Sequence, residues 1–183
     1  MRIIRGTHQR RLIHPPAGLP VRPTTDMAKE SLFNVLENYI DFEGIKALDL
    51  FAGTGNISYE MASRGCSQVL AVDSNSRCVK FIGDTASSLK LVQLQVIRTD
   101  VFRFLSSPYQ RFDLVFADPP YEMTETALLP ELVLSGNLLN PDGLFVLEHS
   151  RGHDFSAVKG FLEHRKYGKV NFSFFRQPVE ISQ

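Results

Sequence analysis

Cysteine is nearly absent. Cys66 and Cys78 are the only two in 183 residues, and neither has the His/Cys spacing of a zinc site. The pair reads as small buried or half-buried thiols in a reducing compartment. Neither follows a proline in a nucleophile-like context, so methylation of a pyrimidine carbon through a covalent cysteine adduct has no candidate residue. Long apolar runs are missing as well, none approaching the ~18 residues of a membrane span. The opening Met1-Arg2-Ile3-Ile4-Arg5 lacks the apolar core and cleavage site of a signal peptide. A cytoplasmic protein with no membrane partner is the expectation. Net charge is zero, 20 basic residues against 20 acidic, so bulk charge predicts no polyanion partner.

The charge that is present is unevenly placed. Arg2, Arg5, Arg10, Arg11 and Arg22 all precede the first acidic residue, Asp26, with His8 and His14 among them. A second basic cluster, His164-Arg165-Lys166 with Lys169 and Arg176, lies near the C-terminus. Clusters of this kind are the electrostatic footprint of a contact with a phosphate backbone. Solvated strand edges guarded by charge would look the same.

At 43% hydrophobic and 22% charged, the chain has an ordinary globular composition, and its length suits one domain with a full core. Residues 1–23 read as a basic arm and connector, 24–183 as the main domain. In the arm, Arg2–Gly6 and Arg10–His14 suggest a short β-hairpin, and Pro15, Pro16, Gly18, Pro20 and Pro23 a stiff connector. Thr24 or Thr25 is a plausible N-cap for a helix carrying Ala28, Leu32, Val35 and Leu36 on one side.

Beyond Gly44, strand-like runs (Lys46–Phe51, Val69–Asp73, Leu94–Asp100, Asp113–Asp118, Leu144–Ser150) alternate with helix-like stretches near Ile57–Arg64, Ser76–Leu89, Val101–Ser106 and Thr126–Asn137. Such alternation implies a parallel sheet covered on both faces. Arg165–Gly168 and Val170–Arg176 are too close in sequence for a crossover helix and must pair antiparallel at a sheet edge. The expectation is an α/β fold with seven strands, the last reversed.

Two motifs carry chemistry. In the first, the strand Ala47-Leu48-Asp49-Leu50 breaks at Phe51-Ala52-Gly53-Thr54-Gly55 into a turn that opens a helix, and glycines there let the backbone approach a ligand closely. Ser58 replaces the third glycine of the dinucleotide fingerprint, which weakens a pyrophosphate reading and with it an NAD-dependent oxidoreductase. Asp49 beside the loop opposes an anionic ligand but suits one with ammonium and sulfonium groups. Asp73 closes the second strand, where an acid can accept from ribose hydroxyls, and Asp100 closes the third, where a carboxylate could take an adenine amine with Val101 and Phe102 against the ring. Each acid alone is more often a helix cap or turn residue.

The second motif is Asp118-Pro119-Pro120-Tyr121, after the apolar run Asp113–Ala117. The prolines fix the turn and remove donors, leaving carbonyls as acceptors. Asp118 and the Pro119 carbonyl can accept the two hydrogens of an exocyclic amine, and Tyr121 offers a stacking face for a base. Guanine N2 and adenine N6 both satisfy such a turn.

Asp49–Gly55 resembles the first motif of Rossmann-like methyltransferases that use S-adenosylmethionine, and Asp118–Tyr121 the (Asn/Asp)-Pro-Pro-(Tyr/Phe) motif of their amino-methylating branch, which acts on a base or a glutamine amide. Arg2-Ile3-Ile4-Arg5-Gly6, Arg22-Pro23-Thr24-Thr25-Asp26, Glu30-Ser31-Leu32-Phe33-Asn34, Glu148-His149-Ser150 and Arg165-Lys166-Tyr167-Gly168 resemble the RsmD family, which methylates guanine N2 in bacterial small-subunit (16S) ribosomal RNA. Asp26-Met27-Ala28-Lys29 stands where that family more often has Asp-Arg-Val-Arg. The resemblance spans essentially the whole chain and implies the guanine(966)-N2 type of activity on the small subunit or its assembly intermediate; a monomer is the default expectation. It also implies S-adenosylmethionine as cofactor, with Gly53 and Gly55 at its methionine end, Asp73 at the ribose, Asp100 at the adenine, and Thr25 close by from the N-terminal side. An adenine-N6 methyltransferase and a non-catalytic RNA-binding assembly factor are the competing readings; the second would predict decay of these motifs, and both are intact.

Overall fold

The computed structural model describes residues 1–19 and 25–177. Its centre is a seven-stranded sheet in the order β3-β2-β1-β4-β5-β7-β6. The strands are β1 (Lys46–Leu50), β2 (Gln68–Asp73), β3 (Leu94–Arg98), β4 (Phe112–Ala117), β5 (Leu139–His149), β6 (Phe161–Tyr167) and β7 (Val170–Arg176). Only β7 runs antiparallel, against β5 on one side and β6 on the other. The expected α/β architecture with a reversed last strand is the one observed. No helix among the described residues is long and apolar enough to cross a membrane.

Strand alternation divides the core in two. Ala47, Leu114 and Phe116 join one apolar cluster with α1 (Asp26–Leu36), α2 (Asn56–Ser63) and α3 (Ser76–Ser88). Leu48, Leu50, Val115 and Ala117 join the other with α4 (Val101–Leu105) and α5 (Leu129–Ser135). Cys66 and Cys78 are free and buried, and burial pushes the Cys66 thiol up to about 12, as inert core thiols require.

Several boundaries differ from the sequence pattern, each for a local reason. β1, β3 and β4 stop at Leu50, Arg98 and Ala117, short of the acids or aromatics expected to close them. Phe51 leaves the strand with φ 61°, and Asp100 serves as the N-cap of α4 instead of a strand end. β5 begins at Leu139, five residues before the expected Leu144, because Asn140-Pro141-Asp142-Gly143 is carried inside the strand across a register shift. The helix expected over Thr126–Asn137 is a 3-10 turn, Thr124–Leu128, followed by α5 with Pro130 in its first turn.

The arm folds back as a hairpin-like loop with a single antiparallel bridge, Arg2 to Leu12. Ile3 and Ile13 are buried in the same cluster as α1 and α2. At its tip, Gly6 has φ 89°, and an added Cβ would stand 1.8 Å from the Ser63 carbonyl oxygen, so the tip lies directly on the end of α2. Thr7 N–H donates to that carbonyl at 2.8 Å and the Ser63 hydroxyl donates to Arg5 O at 2.6 Å.

Beneath the arm lies Glu60 of α2, with no exposed surface. Its two oxygens accept the Ile4 and Arg5 amides at 2.7 and 3.0 Å, Arg64 Nε at 2.8 Å, and face Lys29 Nζ at 3.6 Å. Lys29 of α1 is equally buried and also donates to Arg2 O at 2.5 Å and to Asn56 Oδ1 at 2.8 Å. Burial lowers the Lys29 pKa, and Glu60 and Asp26 partly oppose that. Removing one member of a buried charged set strands the others. Glu60→Ala is therefore expected to destabilise the protein by about 3–5 kcal/mol in urea denaturation. A loss below 1 kcal/mol would show that the arm is held by its isoleucines alone.

Candidate active site

The parallel strands deliver their C-terminal ends to one edge of the sheet, where open α/β sheets bind ligands. The glycine loop leaves β1 there. Phe51, Gly53 and Gly55 all have positive φ, of 61°, 55° and 77°, so three left-handed residues turn the chain from β1 into α2. A side chain at Gly55 would come within 2.8 Å of the Tyr59 ring, so the loop has no room for one. Phe51 is the residue that tolerates this conformation poorly, and its ring meets Phe102 edge-on at 6.5 Å.

Each predicted cofactor acid has a local partner. Asp73 Oδ2 accepts the Gly53 amide at 2.8 Å and Oδ1 the Asn75 amide at 2.8 Å, so this carboxylate sets the loop against β2. Asp49 is 2% exposed and accepts the Ser58 hydroxyl at 2.5 Å. Asp100 is exposed and accepts the Arg103 amide at 3.0 Å as cap of α4, while Val101 is buried in the second core. Thr25 is the N-cap of α1, its hydroxyl accepting the Ala28 amide at 3.2 Å. Asp73 and Asp100 thus do turn and cap duty at the C-terminal ends of the strands, and Thr25 caps α1.

The Asp-Pro-Pro-Tyr turn begins where β4 ends. The Asp118 amide donates to Leu50 O at 3.3 Å, which fastens the turn to the last residue of β1, directly before the glycine loop. Asp118 is half-buried and Pro119 buried, whereas Tyr121 is 49% exposed. The Tyr121 hydroxyl donates to Glu148 Oε1 at 3.0 Å. Glu148 was not among the candidate site residues read from the sequence. The signal was there: like Asp118, it is an acid ending an apolar run, Leu144–Leu147. The β4–β5 register pairs Ala117 with Leu147, so Asp118 and Glu148 follow as neighbours on adjacent strands.

Three carboxyls at this edge resist ionisation. Burial raises Glu148 to about 7 despite the Tyr121 hydrogen bond, and raises Asp49 to about 7 despite Ser58. Asp118 is raised well above the carboxylate range by burial, then by Glu148 and Asp49. Like charges brought together out of water do this, and functional clefts are where it recurs.

Among the predicted RNA-contact residues, Arg2, Arg5, Arg10 and Arg11 are exposed on the arm, and Arg22 lies outside the described residues. Arg5 pairs with Glu37 at 2.9 Å and Arg2 approaches Asp26 at 3.7 Å. Arg10 and Arg11 make no ion pair among the described residues, so they carry the arm's unbalanced charge.

A parallel sheet with one reversed strand, a glycine loop after β1 and an Asp-Pro-Pro-Tyr turn after β4 define a Rossmann-like methyltransferase. The model of one family, described as Conserved hypothetical protein 95, matches residues 1–176. The chain belongs to this family, that of the RsmD methyltransferases. It is 33% identical to YlbH of Bacillus subtilis, provisionally named an rRNA methyltransferase, over 97% of this chain and 99% of that one. To the ribosomal RNA small subunit methyltransferase D of Haemophilus influenzae it is 32% identical, over 96% and 93%. The solved structure of an Escherichia coli protein, yhhF, provisionally named a methyltransferase, has the same fold, with a TM-score of 0.86 at 23% identity covering 98% and 99% of the two chains.

The raised carboxyls fix a pH dependence. A group that holds its proton more tightly when folded makes the folded state bind more protons, so stability falls as pH climbs from its unfolded to its folded pKa. For Glu148 that window runs from 4.5 to about 7. For Asp49 it runs from 3.8 to about 7. The stability of the unliganded protein, followed by melts across pH, is expected to drop between about pH 4 and about pH 7, by on the order of 3–4 kcal/mol per group at most. Glu148→Gln should flatten part of the slope. A melting temperature that rises across this window would contradict the burial of both acids.

Proposed function

We propose that this protein transfers a methyl group from S-adenosylmethionine to the exocyclic N2 of a guanine in bacterial small-subunit rRNA, the guanine(966)-N2 type of activity. The observation that carries the reading is the hydrogen bond from Asp118 N–H to Leu50 O, which ties an amine-accepting turn to the strand feeding the glycine loop. The residues at the loop fit the cofactor. Gly53 and Gly55 leave room for close backbone approach, and Asp49 and Asp73 are acids suited to ammonium and hydroxyl groups. In this reading Thr25, Asp100 and Val101 complete the cofactor pocket. The cofactor supplies an electrophilic methyl on a sulfonium sulfur.

The chain's own residues then act on the base. Guanine N2 is a poor nucleophile because its lone pair is delocalised into the ring. Asp118 and the Pro119 carbonyl accept its two hydrogens, which localises the pair and aims it at the methyl. The amine becomes acidic only as the new N–C bond forms, so an ionised Asp118 takes a proton after transfer and need not do so before, and its raised proton affinity suits it to that step. Alignment and charge placement supply most of the acceleration. Tyr121 stacks on the base, which must be unpaired or flipped to enter. Arg10 and Arg11 of the arm, together with Arg2, Arg5 and Arg22, meet the phosphate backbone. We place the activity in the cytoplasm, in a monomer acting on small subunits or their assembly intermediates.

Tritium transfer from labelled cofactor to unmethylated small subunits, naked rRNA and DNA, followed by nucleoside analysis, is expected to give N2-methylguanosine from the subunits. N6-methyladenosine as the product would refute the guanine assignment. Asp118→Ala is expected to lower turnover by about 100-fold or more while calorimetry still finds the cofactor bound; comparable turnover would remove Asp118 from the chemistry. Charge reversal at Arg10 and Arg11 should weaken RNA binding and flatten its dependence on salt. An unchanged slope of log affinity against log salt would mean that the arm does not touch phosphate.

A further inference from the structure

Glu148 holds a position that its fold does not require. It is 3% exposed in a core strand, and its neighbour His149 serves the sheet by bonding the Ser173 hydroxyl at 2.8 Å. Glu148 bonds only outward, through Oε1 to the exposed Tyr121, and its buried Oε2 has no hydrogen-bond partner. A buried carboxylate oxygen left without a donor is costly unless something arrives to satisfy it. Lateral register puts Glu148 beside Asp118, on the strand away from the glycine loop. The two acids therefore line one edge of the turn that Tyr121 covers.

Guanine and adenine differ at the atom next to the amine. Guanine presents three hydrogens in a row, N1–H and the two on N2. Adenine presents two hydrogens on N6 beside N1, which is an acceptor. Two adjacent carboxylates are a complement for the guanine row. Once ionised, above the pKa of about 7 to which burial raises it, Glu148 faces a lone pair when adenine occupies the same place. The discrimination is therefore read at about pH 8 or above.

We propose that Glu148 reads the base: its carboxylate accepts guanine N1–H while Asp118 and the Pro119 carbonyl hold the N2 amine, and it repels the N1 lone pair of adenine. This rests on the amine-binding reading of the Asp118–Tyr121 turn. Tyr121 gives up its bond to Oε1 as its ring turns to stack on the entering base. The N1–H then reaches the Glu148 carboxylate, and both N2 hydrogens stay with Asp118 and the Pro119 carbonyl.

The test uses small subunits reconstituted with guanine or 2-aminopurine at the nucleotide mapped by nucleoside analysis. 2-Aminopurine keeps the N2 amine but has an acceptor at N1, and it also lacks O6. The wild type is expected to prefer guanine in kcat/KM by at least about 30-fold, since a site built for an N–H rejects an analogue without it. Glu148→Gln can turn either its oxygen or its amide nitrogen to N1, so its preference is expected to shrink to about threefold or less. Any part of the preference due to O6 is common to both proteins and does not change with the variant. If Glu148→Gln turns over neither substrate, the ratio of affinities in the presence of S-adenosylhomocysteine is read instead, with the same two expectations. A guanine preference equal to that of the wild type overturns the role of Glu148. Wild-type methylation of adenine in place of guanine overturns the functional reading beneath it, which separates the two failures.

Discussion

Glu60 is the anchor on which the N-terminal third of the molecule depends. A carboxylate sealed inside a helix is tolerable only when its oxygens are fully engaged, and here two amides of the arm, Arg64 and Lys29 surround it. The consequence is a fixed geometry. Lys29 also reaches Asn56, the first residue of α2, so the arm, α1 and the helix that follows the glycine loop share one polar core. Hydrophobic contact from Ile3 and Ile13 would hold the arm down without specifying its register. The ionic set beneath it specifies which amides meet which oxygens.

At the other end of the site, cost and use are joined. Asp49 on β1, Asp118 just past the end of β4 and Glu148 on β5 lie along three adjacent strands, all with raised pKa values. None helps the empty protein to fold at neutral pH. Residues that weaken the resting state in this way persist where a ligand later satisfies them. Asp73 is the contrast: both its oxygens take backbone amides, one of them from the glycine loop, so it serves architecture first.

The fold was largely legible because its signals are strong and redundant: buried apolar runs, a glycine turn, and an ending too tight for a crossover helix. The strand ends were less so. Phe51 gives no sign in its chemistry of a left-handed backbone; the loop around it imposes one. Pro141 and Gly143 read as a loop, yet sit in β5 because its register against β4 shifts to admit them. The sequence singled out Asp49, Asp73 and Asp118 as candidates from their places at strand ends, while Glu148 was passed over as part of a family match. Its nearness to Asp118 becomes visible only when β4 and β5 are laid side by side. The Lys29–Glu60 pair was hidden for a different reason, since each sits on a helix where a charged residue ordinarily faces water.

The bond between Tyr121 and Glu148 also makes the site observable. The chain has no tryptophan and only five tyrosines, so its intrinsic fluorescence is phenolic throughout. A phenol that shares its proton with a carboxylate is quenched, and one stacked beneath a nucleobase is quenched by another route. Occupancy of this turn is thus written into the protein's own emission, and an unlabelled enzyme reports on the pocket where its base would lie.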